Sequence, residues 1–337
     1  MIESFGVLES GAEIHAITLG VPGGLQAQVL DYGGILRRVV FPSRSGPRDL
    51  VITLPDLDAY LRDTTFQGIL VGRVGNRIAN ARFELDGRAY RFSANDGVNQ
   101  LHGGSLGFGK KLWKVPKLTS GPRERLVLGL HSQAGDEGFP GNLDVKAEIT
   151  LDGAELRLQF EARCDEATPV NLTWHPYFNL SGDMRRAVDE MHLRIGASSY
   201  LPVRDAQLIP TGEIASVEGT PFDFREPRAL RAPALTSDPQ LAHASGYDHC
   251  WALDAVRDCD AELQSPFSGI RMKVQSDRPG IQFYGGQHLA GVHPGLNGIC
   301  LEPQGFPNAV NEPAFPSCIV RPGEVYRSNF VYRFTEG

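Results

Sequence analysis

The sequence has few cysteines, and no two of them are spaced as in a known motif. The five cysteines are scattered between positions 164 and 318, and none forms a CxxC pair. This pattern is typical of a protein from a reducing compartment and excludes the short zinc and redox motifs. No run of about 18 apolar residues is present, so we expect no membrane-spanning helix. Residues 1–7 lack a basic segment followed by an apolar one, so we expect no signal peptide and a cytoplasmic location.

Motifs for nucleotides, metals and nucleic acids are also missing. The chain has no G-x-G-x-x-G fingerprint, no P-loop and no HExxH pair. His243 and His249 do not have the spacing of a helical metal site, and we expect them to face solvent. The formal net charge of −7, with no basic stripe, argues against nucleic-acid and anionic-membrane partners. We therefore expect neither a cofactor nor a bound metal.

One hydrolase-like motif is present without its usual structural context. Residues 103–107 fit the G-x-S-x-G pattern of a nucleophilic serine. That pattern requires a buried strand before the serine and a helix after it. Here the polar residues 95–102 precede the motif, and Phe-Gly-Lys-Lys follows it at residues 108–111. A serine hydrolase is therefore not expected.

Frequent turns and two-residue alternation dominate the chain. The 38 glycines and 23 prolines are spread evenly, as in a chain with many turns. Asp-Gly dipeptides at residues 86–87 and 152–153 are hairpin signals between alternating segments. Helical periodicity is confined to residues 54–61, whereas alternation recurs at residues 191–195, 270–274 and 325–334. These patterns predict a large antiparallel all-β fold, a sandwich or a barrel, and no composition break divides residues 1–337 into domains.

Three polar, glycine-rich regions interrupt the alternation: residues 72–80 with 95–104, residues 171–182, and residues 298–307. In the second region His175 lies among aromatic residues, where desolvation shifts the charge of a histidine and ring faces suit a sugar. In the third, Glu302 follows an apolar run, which predicts a carboxylate at a strand end. Taken alone, His175 is equally consistent with a core histidine, and a carboxylate at the end of such a strand is more often solvated than catalytic.

Five motifs occur together, in one order, along nearly the whole chain. They are residues 72–78 (GRVGNRI), 99–104 (NQLHGG), 171–182 (NLTWHPYFNLSG), 246–249 (GYDH) and 301–304 (LEPQ). Shorter matches, such as residues 136–142 and 279–284, lie between them. In these motifs the chain resembles the aldose 1-epimerase (galactose mutarotase) family.

The resemblance implies a single-domain antiparallel β-sandwich of the supersandwich type. It also implies an enzyme that interconverts the α and β anomers of free aldoses such as galactose or glucose, without a cofactor. Glu302 would be the general base and His175 the general acid. The residues expected to hold the sugar are Arg77, His102 and Asp248, with Asn76 and Gln282 as further contacts. Two departures from the family pattern, Trp174 in place of a polar residue and Asn308 in place of Asp, leave the preferred sugar open.

A carboxylate and an imidazolium suit this reaction, because one group must take the anomeric proton while the other protonates the ring oxygen. With reference pKa values of about 4.3 for Glu and about 6.5 for His, a pH window exists in which both are charged. We expect the proximity of Glu302 to raise the pKa of His175 and to widen that window.

Two alternatives stay open at this point. An epimerase-like relative acting on a hexose 6-phosphate would need basic residues beside the sugar, for which only Arg185 and Arg186 are candidates. A non-catalytic carbohydrate-binding sandwich would need neither an acid nor a base. The expected partner is a small-molecule aldose, and the chain is expected to be a monomer or a homodimer.

Overall fold

The computed structural model describes residues 1–119, 121, 123–231 and 237–337. The described strands, in chain order, are β1 Ile2–Val7, β2 Glu13–Leu19, β3 Gln26–Leu30, β4 Leu36–Ser43, β5 Gly46–Asp49, β6 Leu70–Val71, β7 Arg77–Ile78, β8 Arg82–Leu85, β9 Arg88–Arg91, β10 Gln100–Leu101, β11 Lys114–Thr119, β12 Arg123–Ser132, β13 Leu143–Asp152, β14 Glu155–Cys164, β15 Thr168–Pro169, β16 Thr173–Trp174, β17 His192–Ile195, β18 Ser199–Leu201, β19 Ala215–Ser216, β20 Arg228–Ala229, β21 Asp248–Ala252, β22 Ala261–Gln264, β23 Ile270–Ser276, β24 Gly280–Tyr284, β25 Cys300–Gln304, β26 Ile319–Val320 and β27 Tyr326–Glu336. The described residues also form the short helices α1 Leu57–Arg62, α2 Pro239–Ala244 and α3 Leu289–Val292.

Most of these strands belong to three sheets whose named strand pairs are antiparallel. The first sheet has the order β1-β2-β3-β4-β5. The second has nine strands in the order β11-β12-β13-β14-β27-β23-β22-β17-β20, and the third has the order β19-β18-β21-β24-β25. Short two-stranded pairs, β7 with β10 and β6 with β16, lie outside these sheets. The predicted large antiparallel all-β sandwich is therefore confirmed.

Buried side chains from all three sheets meet in one hydrophobic core, which accounts for the alternation seen in the sequence. On β13, for example, alternate residues from Leu143 to Ile149 face inward. The core combines side chains from the first sheet, the nine-stranded sheet and the third sheet, among them Val29, Val39, Leu128, Ile149, Trp251 and Phe283. Burial of these faces fixes the register of each strand, because a one-residue slip would turn the apolar side chains outward.

The two predicted hairpins form, one of them shifted by a residue. Leu85 pairs with Arg88 across Asp86-Gly87, and both turn residues have positive φ, 52° and 76°, as a tight type I′ turn requires. In the other hairpin Asp152 pairs with Glu155, so the turn is Gly153-Ala154 rather than the predicted Asp152-Gly153. Gly153 supplies the positive φ of 58° there.

The structure corrects the sequence-based predictions for the helices and for His249. The helix predicted within residues 54–61 is α1, which the Asp56 side chain caps by accepting from the Ala59 N–H. Helices α2 and α3 were not predicted. The expectation that His249 faces solvent is wrong: it is 1% exposed, its ring lies 4.6 Å from that of Phe222, and burial lowers its pKa to about 3. Among the described residues, no helix is long and apolar enough to cross a membrane.

Candidate active site

The third sheet presents a row of polar side chains on one face. On β24 and β25, Gln282 lies directly opposite Glu302, and the Gln282 Nε2 donates to Asp248 Oδ1 on β21 at 2.6 Å. The neighbouring residues of these strands, such as Phe283 and Leu301, point to the other face and enter the core. The expectation that Glu302 lies at a strand end is wrong. It lies in the middle of β25, at 2% exposure, and the strand fixes its backbone on both sides.

His175 reaches the same place from the segment after β16. Its N–H donates to the Ile69 carbonyl at 3.0 Å, and its carbonyl accepts from the Gly68 N–H at 3.0 Å. These two bonds hold the backbone so that His175 Nε2 lies 3.7 Å from Glu302 Oε1. The preceding residue, Trp174, is buried, and its indole donates to the Gly34 carbonyl at 3.3 Å.

His102 is held by a backbone donor that determines its tautomer. The Asn76 N–H donates to His102 Nδ1 at 3.2 Å. A ring nitrogen that accepts a hydrogen bond carries no proton, so the neutral ring has its proton on Nε2. The His102 ring lies 5.1 Å from that of His175 at an angle of 88°. His102 is therefore positioned as a hydrogen-bond donor beside His175.

Arg77 and Asp248 form a charged pair at the entrance of the site. Arg77 Nε donates to Asp96 Oδ2 at 2.7 Å, and its Nη1 lies 3.7 Å from Asp248 Oδ2. The Arg77 and Asp248 side chains are 12% and 15% exposed, so both charges are partly desolvated. The guanidinium keeps further N–H groups, and the carboxylate keeps further lone pairs, for a ligand.

These side chains line a cavity of about 170 Å³. Six of the seven predicted site residues contribute to its wall: Asn76, Arg77, His102, His175, Asp248 and Glu302. The seventh, Gln282, is not among the lining residues, and its Nε2 donates to Asp248. Further lining residues that were not predicted are Thr64, Thr65, Phe66, Leu101, Tyr177, Leu208, Tyr284 and His288. Of these, Leu101, Tyr177 and Tyr284 fall within the sequence motifs, whereas residues 64–66 have no pattern that marks them.

Burial governs the protonation of the site. It lowers the pKa of His175 to about 4, lowers that of His102 well below its usual value, and raises that of Glu302 well above its usual value. The expected rise in the pKa of His175 is therefore wrong, because desolvation dominates and the charge that opposes it is that of Asp63. Both pKa shifts favour an uncharged pair, in which Glu302 is a carboxylic acid and the His175 imidazole is neutral. This pair shares one proton in total, as would the ion pair of a carboxylate and an imidazolium.

The Glu302 carboxyl has a free acceptor atom inside the protein. Its Oε2 is buried and has no hydrogen-bond partner among the described residues. Buried polar atoms are normally satisfied, so an unpartnered oxygen on a residue of the cavity wall indicates a ligand group or water at that point. A hydroxyl group would satisfy it.

The cluster of His102, His175 and Glu302 also has the composition of a metal site, with possible ligand atoms that all lie within 4.8 Å of one another. The tautomer of His102 does not suit a metal, because its Nδ1 accepts from the Asn76 N–H and its Nε2 carries the proton, so that Nε2 offers no lone pair. The cluster is better suited to moving protons.

The fold and this cavity define an acid–base enzyme for a small polar substrate, and comparison with known proteins identifies its family. Residues 15–333 match the family model of aldose 1-epimerase. The chain belongs to the aldose 1-epimerase family. It is an aldose 1-epimerase, an isomerase that interconverts the anomers of aldoses.

Similar proteins cover almost the whole chain. Human galactose mutarotase is 38% identical over 323 residues, which are 92% of this chain and 91% of that protein. The aldose 1-epimerase of Escherichia coli K12 is 34% identical over 346 residues, 98% of each chain. The crystal structure of galactose 1-epimerase from Lactobacillus acidophilus superposes with a TM-score of 0.88 at 28% identity, covering 100% of this chain and 98% of that one. The phosphohexose and non-catalytic alternatives are not favoured by these matches.

Proposed function

We propose that Glu302 and His175 carry out the interconversion of anomers as base and acid. Glu302 removes the proton from the anomeric hydroxyl O1 while His175 Nε2 donates a proton to the ring oxygen O5. The C1–O5 bond breaks, C1=O1 forms, and the open-chain aldehyde rotates about C1–C2. Reclosure on the other face of the aldehyde reverses both proton transfers and restores the two side chains.

The observation that carries this proposal is the placement of the two groups. The distance of 3.7 Å between His175 Nε2 and Glu302 Oε1 is too long for a direct hydrogen bond. Both groups are therefore free to bond to substrate oxygens. O1 and O5 are attached to the same carbon, so a base and an acid a few ångströms apart can address both at once.

The electrostatics of the cavity support the open-chain intermediate. When the ring opens, an ionised Glu302 becomes a carboxylic acid and a charged His175 becomes neutral. These are the forms that burial favours, since it raises the pKa of Glu302 and lowers that of His175. Burial of the two groups therefore lowers the energy of the ring-opened state, in which the aldehyde rotates about C1–C2.

We further propose that the sugar is held by Arg77, Asp248, His102 and Asn76. Arg77 is fixed by Asp96, and Asp248 is fixed by Gln282, so both present a preset geometry to sugar hydroxyls. The rings of Phe66 and Tyr177, 6.0 and 5.2 Å from that of His175, offer apolar faces for the C–H groups of the sugar.

The remaining expectations are also proposals. Galactose is a proposed substrate because similar proteins bear names that specify it, with glucose as a further candidate. We propose one catalytic domain over residues 1–337, a cytoplasmic location, no cofactor, and a monomer or homodimer.

Polarimetry of freshly dissolved α-D-galactose tests the catalytic pair. Glu302→Gln keeps the shape of the side chain but cannot accept the proton, so kcat should fall by about 10²–10⁴-fold, and His175→Asn should cause a similar loss. The double variant should lose far less than the product of the two, because acid and base act as one unit. The Asp260→Asn variant alters a buried carboxylate bound to Arg257 and Ser276, outside the cavity wall, and serves as the control. Near-normal kcat in folded Glu302→Gln would refute the assignment.

A further inference from the structure

A buried carboxylate beside the sugar cavity organises one of its walls. Asp63, 7% exposed, follows α1 and accepts hydrogen bonds from the Thr65 N–H at 3.0 Å, the Thr65 hydroxyl at 2.6 Å and the Gln67 N–H at 2.8 Å. Its Oδ1 also accepts from His293 Nε2 at 2.8 Å. These bonds close residues 63–67 into a tight turn, which we call the Asp63 turn.

The Asp63 turn touches His175 from several directions. The Thr65 carbonyl accepts from the Tyr177 hydroxyl at 2.8 Å, and the Tyr177 ring lies 5.2 Å from the ring of His175. Phe66, held at a positive φ of 60°, places its ring 6.0 Å from that of His175. Immediately after the turn, the Gly68 N–H donates to the His175 carbonyl. Any shift of the turn would therefore move the catalytic imidazole.

His293 anchors this turn to a second segment that contributes to the cavity wall. It follows α3 in the segment 285–298, which also carries the lining residue His288. This segment is fixed at both ends, by the Gly285 N–H to the Tyr247 carbonyl and by the Asn297 N–H to the Met184 carbonyl. The bond between His293 and Asp63 joins residues 230 positions apart in sequence.

We propose that Asp63 is a positioning residue for anomer interconversion and that His293 holds it in place. The pair would fix the Asp63 turn against His175 without touching the sugar, since neither residue lines the sugar cavity. This inference rests on the proposed role of His175 as the acid. A displacement of about 1 Å in a reacting group can cost roughly 100-fold in rate, so a small movement of the turn is enough to matter.

The charge of Asp63 is a second way in which this residue supports His175 as the acid. Burial lowers the pKa of His175 to about 4, and the negative charge of Asp63 opposes that shift. Asp63 is itself kept ionised by its donors, which lower its pKa although burial alone would raise it. A fixed negative charge near His175 favours the protonated imidazole that must donate to the ring oxygen.

A pair of substitutions at His293 tests the proposal. His293→Leu removes the donor, whereas His293→Gln keeps an amide N–H near the position of Nε2. We expect kcat on α-D-galactose to fall about 10-fold in His293→Leu with KM changed by less than about twofold, because Arg77 and Asp248 remain in place. His293→Gln should recover most of the lost kcat.

Matched controls separate positioning from general destabilisation. His131 forms an exposed pair with Asp144 at 2.7 Å, so His131→Leu should leave kcat unchanged. Asp63→Asn turns an amide NH₂ toward at least one of the groups that donate to Asp63. Even if Asp63→Asn and Asp260→Asn lower the melting temperature equally, Asp63→Asn should lower kcat more.

The outcomes distinguish this inference from the proposed function. If His293→Leu keeps wild-type kcat while His175→Asn loses it, the positioning role is refuted and the acid role stands. If kcat and folded fraction fall together in His293→Leu, with no recovery in His293→Gln, the pair is merely structural and the proposal is refuted. If His175→Asn itself keeps its activity, the acid role fails, and the positioning role fails with it.

Discussion

The protonation of His175 in the folded protein can be measured through stability. Its pKa is lowered from an ordinary value of 6.5 to about 4, a difference of 2.5 units. At roughly 1.4 kcal/mol per unit, the largest effect on the free energy of unfolding is about 3 kcal/mol. The unfolded chain binds a proton on this residue more readily than the folded protein does. The contribution of His175 is therefore fully present above about pH 6.5 and is lost as the pH falls toward 4.

Urea denaturation of the wild type and His175→Asn at pH 7.5 and 4.5 tests this sign. The free energy of unfolding of the wild type, minus that of the variant, should decrease by roughly 2–3 kcal/mol between the two pH values. If the wild type instead gains stability over His175→Asn as the pH falls, its imidazolium is stabilised by Glu302, and the reasoning from burial is wrong.

Glu302 should show the opposite dependence. Burial raises its pKa well above 4.5, so the folded protein holds this proton more tightly than the unfolded chain. Its contribution to stability is present below pH 4.5 and decreases as the pH rises toward the folded pKa. The stability of wild type minus Glu302→Gln should therefore fall with rising pH. A difference that stays constant from pH 4.5 to 7.5 would show that Glu302 is solvated.

Two further substitutions separate support of the site from its chemistry. Gln282→Met removes the amide that donates to Asp248. Because one charge-assisted hydrogen bond is lost, we expect kcat/KM to fall about 10-fold through a higher KM. Unchanged steady-state constants would contradict this. Trp174→Phe should lower the free energy of unfolding by roughly 1–3 kcal/mol, because a buried indole and its hydrogen bond to Gly34 are lost. The ratio of kcat/KM for glucose to kcat/KM for galactose should stay constant. A changed ratio would place Trp174 in sugar recognition.

Most of the cavity residues were predicted from the resemblance of five sequence motifs to the aldose 1-epimerase family. Polar and glycine-rich motifs carrying Asn76, Arg77 and His102 interrupt an otherwise regular alternation, and the structure brings them to one cavity with His175 and Glu302. The hairpin at residues 86–87 was equally predictable, since its turn depends on two adjacent residues. Features that depend only on residues close together in the sequence could therefore be predicted.

Features that depend on distant contacts could not be predicted in this way. Nothing in the local sequence shows that Gln282 donates to Asp248, or that Asp63 meets a histidine 230 residues away. His249 was expected in solvent because it does not have a helical metal spacing with His243, yet it alternates with Asp248 on β21 and so faces the core. The direction of a side chain on a strand depends on register, which long-range pairing decides.

The error in the charge of His175 has the same origin and bears most directly on mechanism. Proximity to Glu302 suggested a stable ion pair, but proximity and burial arise together here, since the third sheet and the segment after β16 enclose both groups. In water an imidazolium beside a carboxylate would be favoured, whereas in this enclosure the proton costs less on the carboxyl. The burial that favours this neutral pair therefore also favours the proposed ring-opened state, in which Glu302 holds the proton and His175 has lost it.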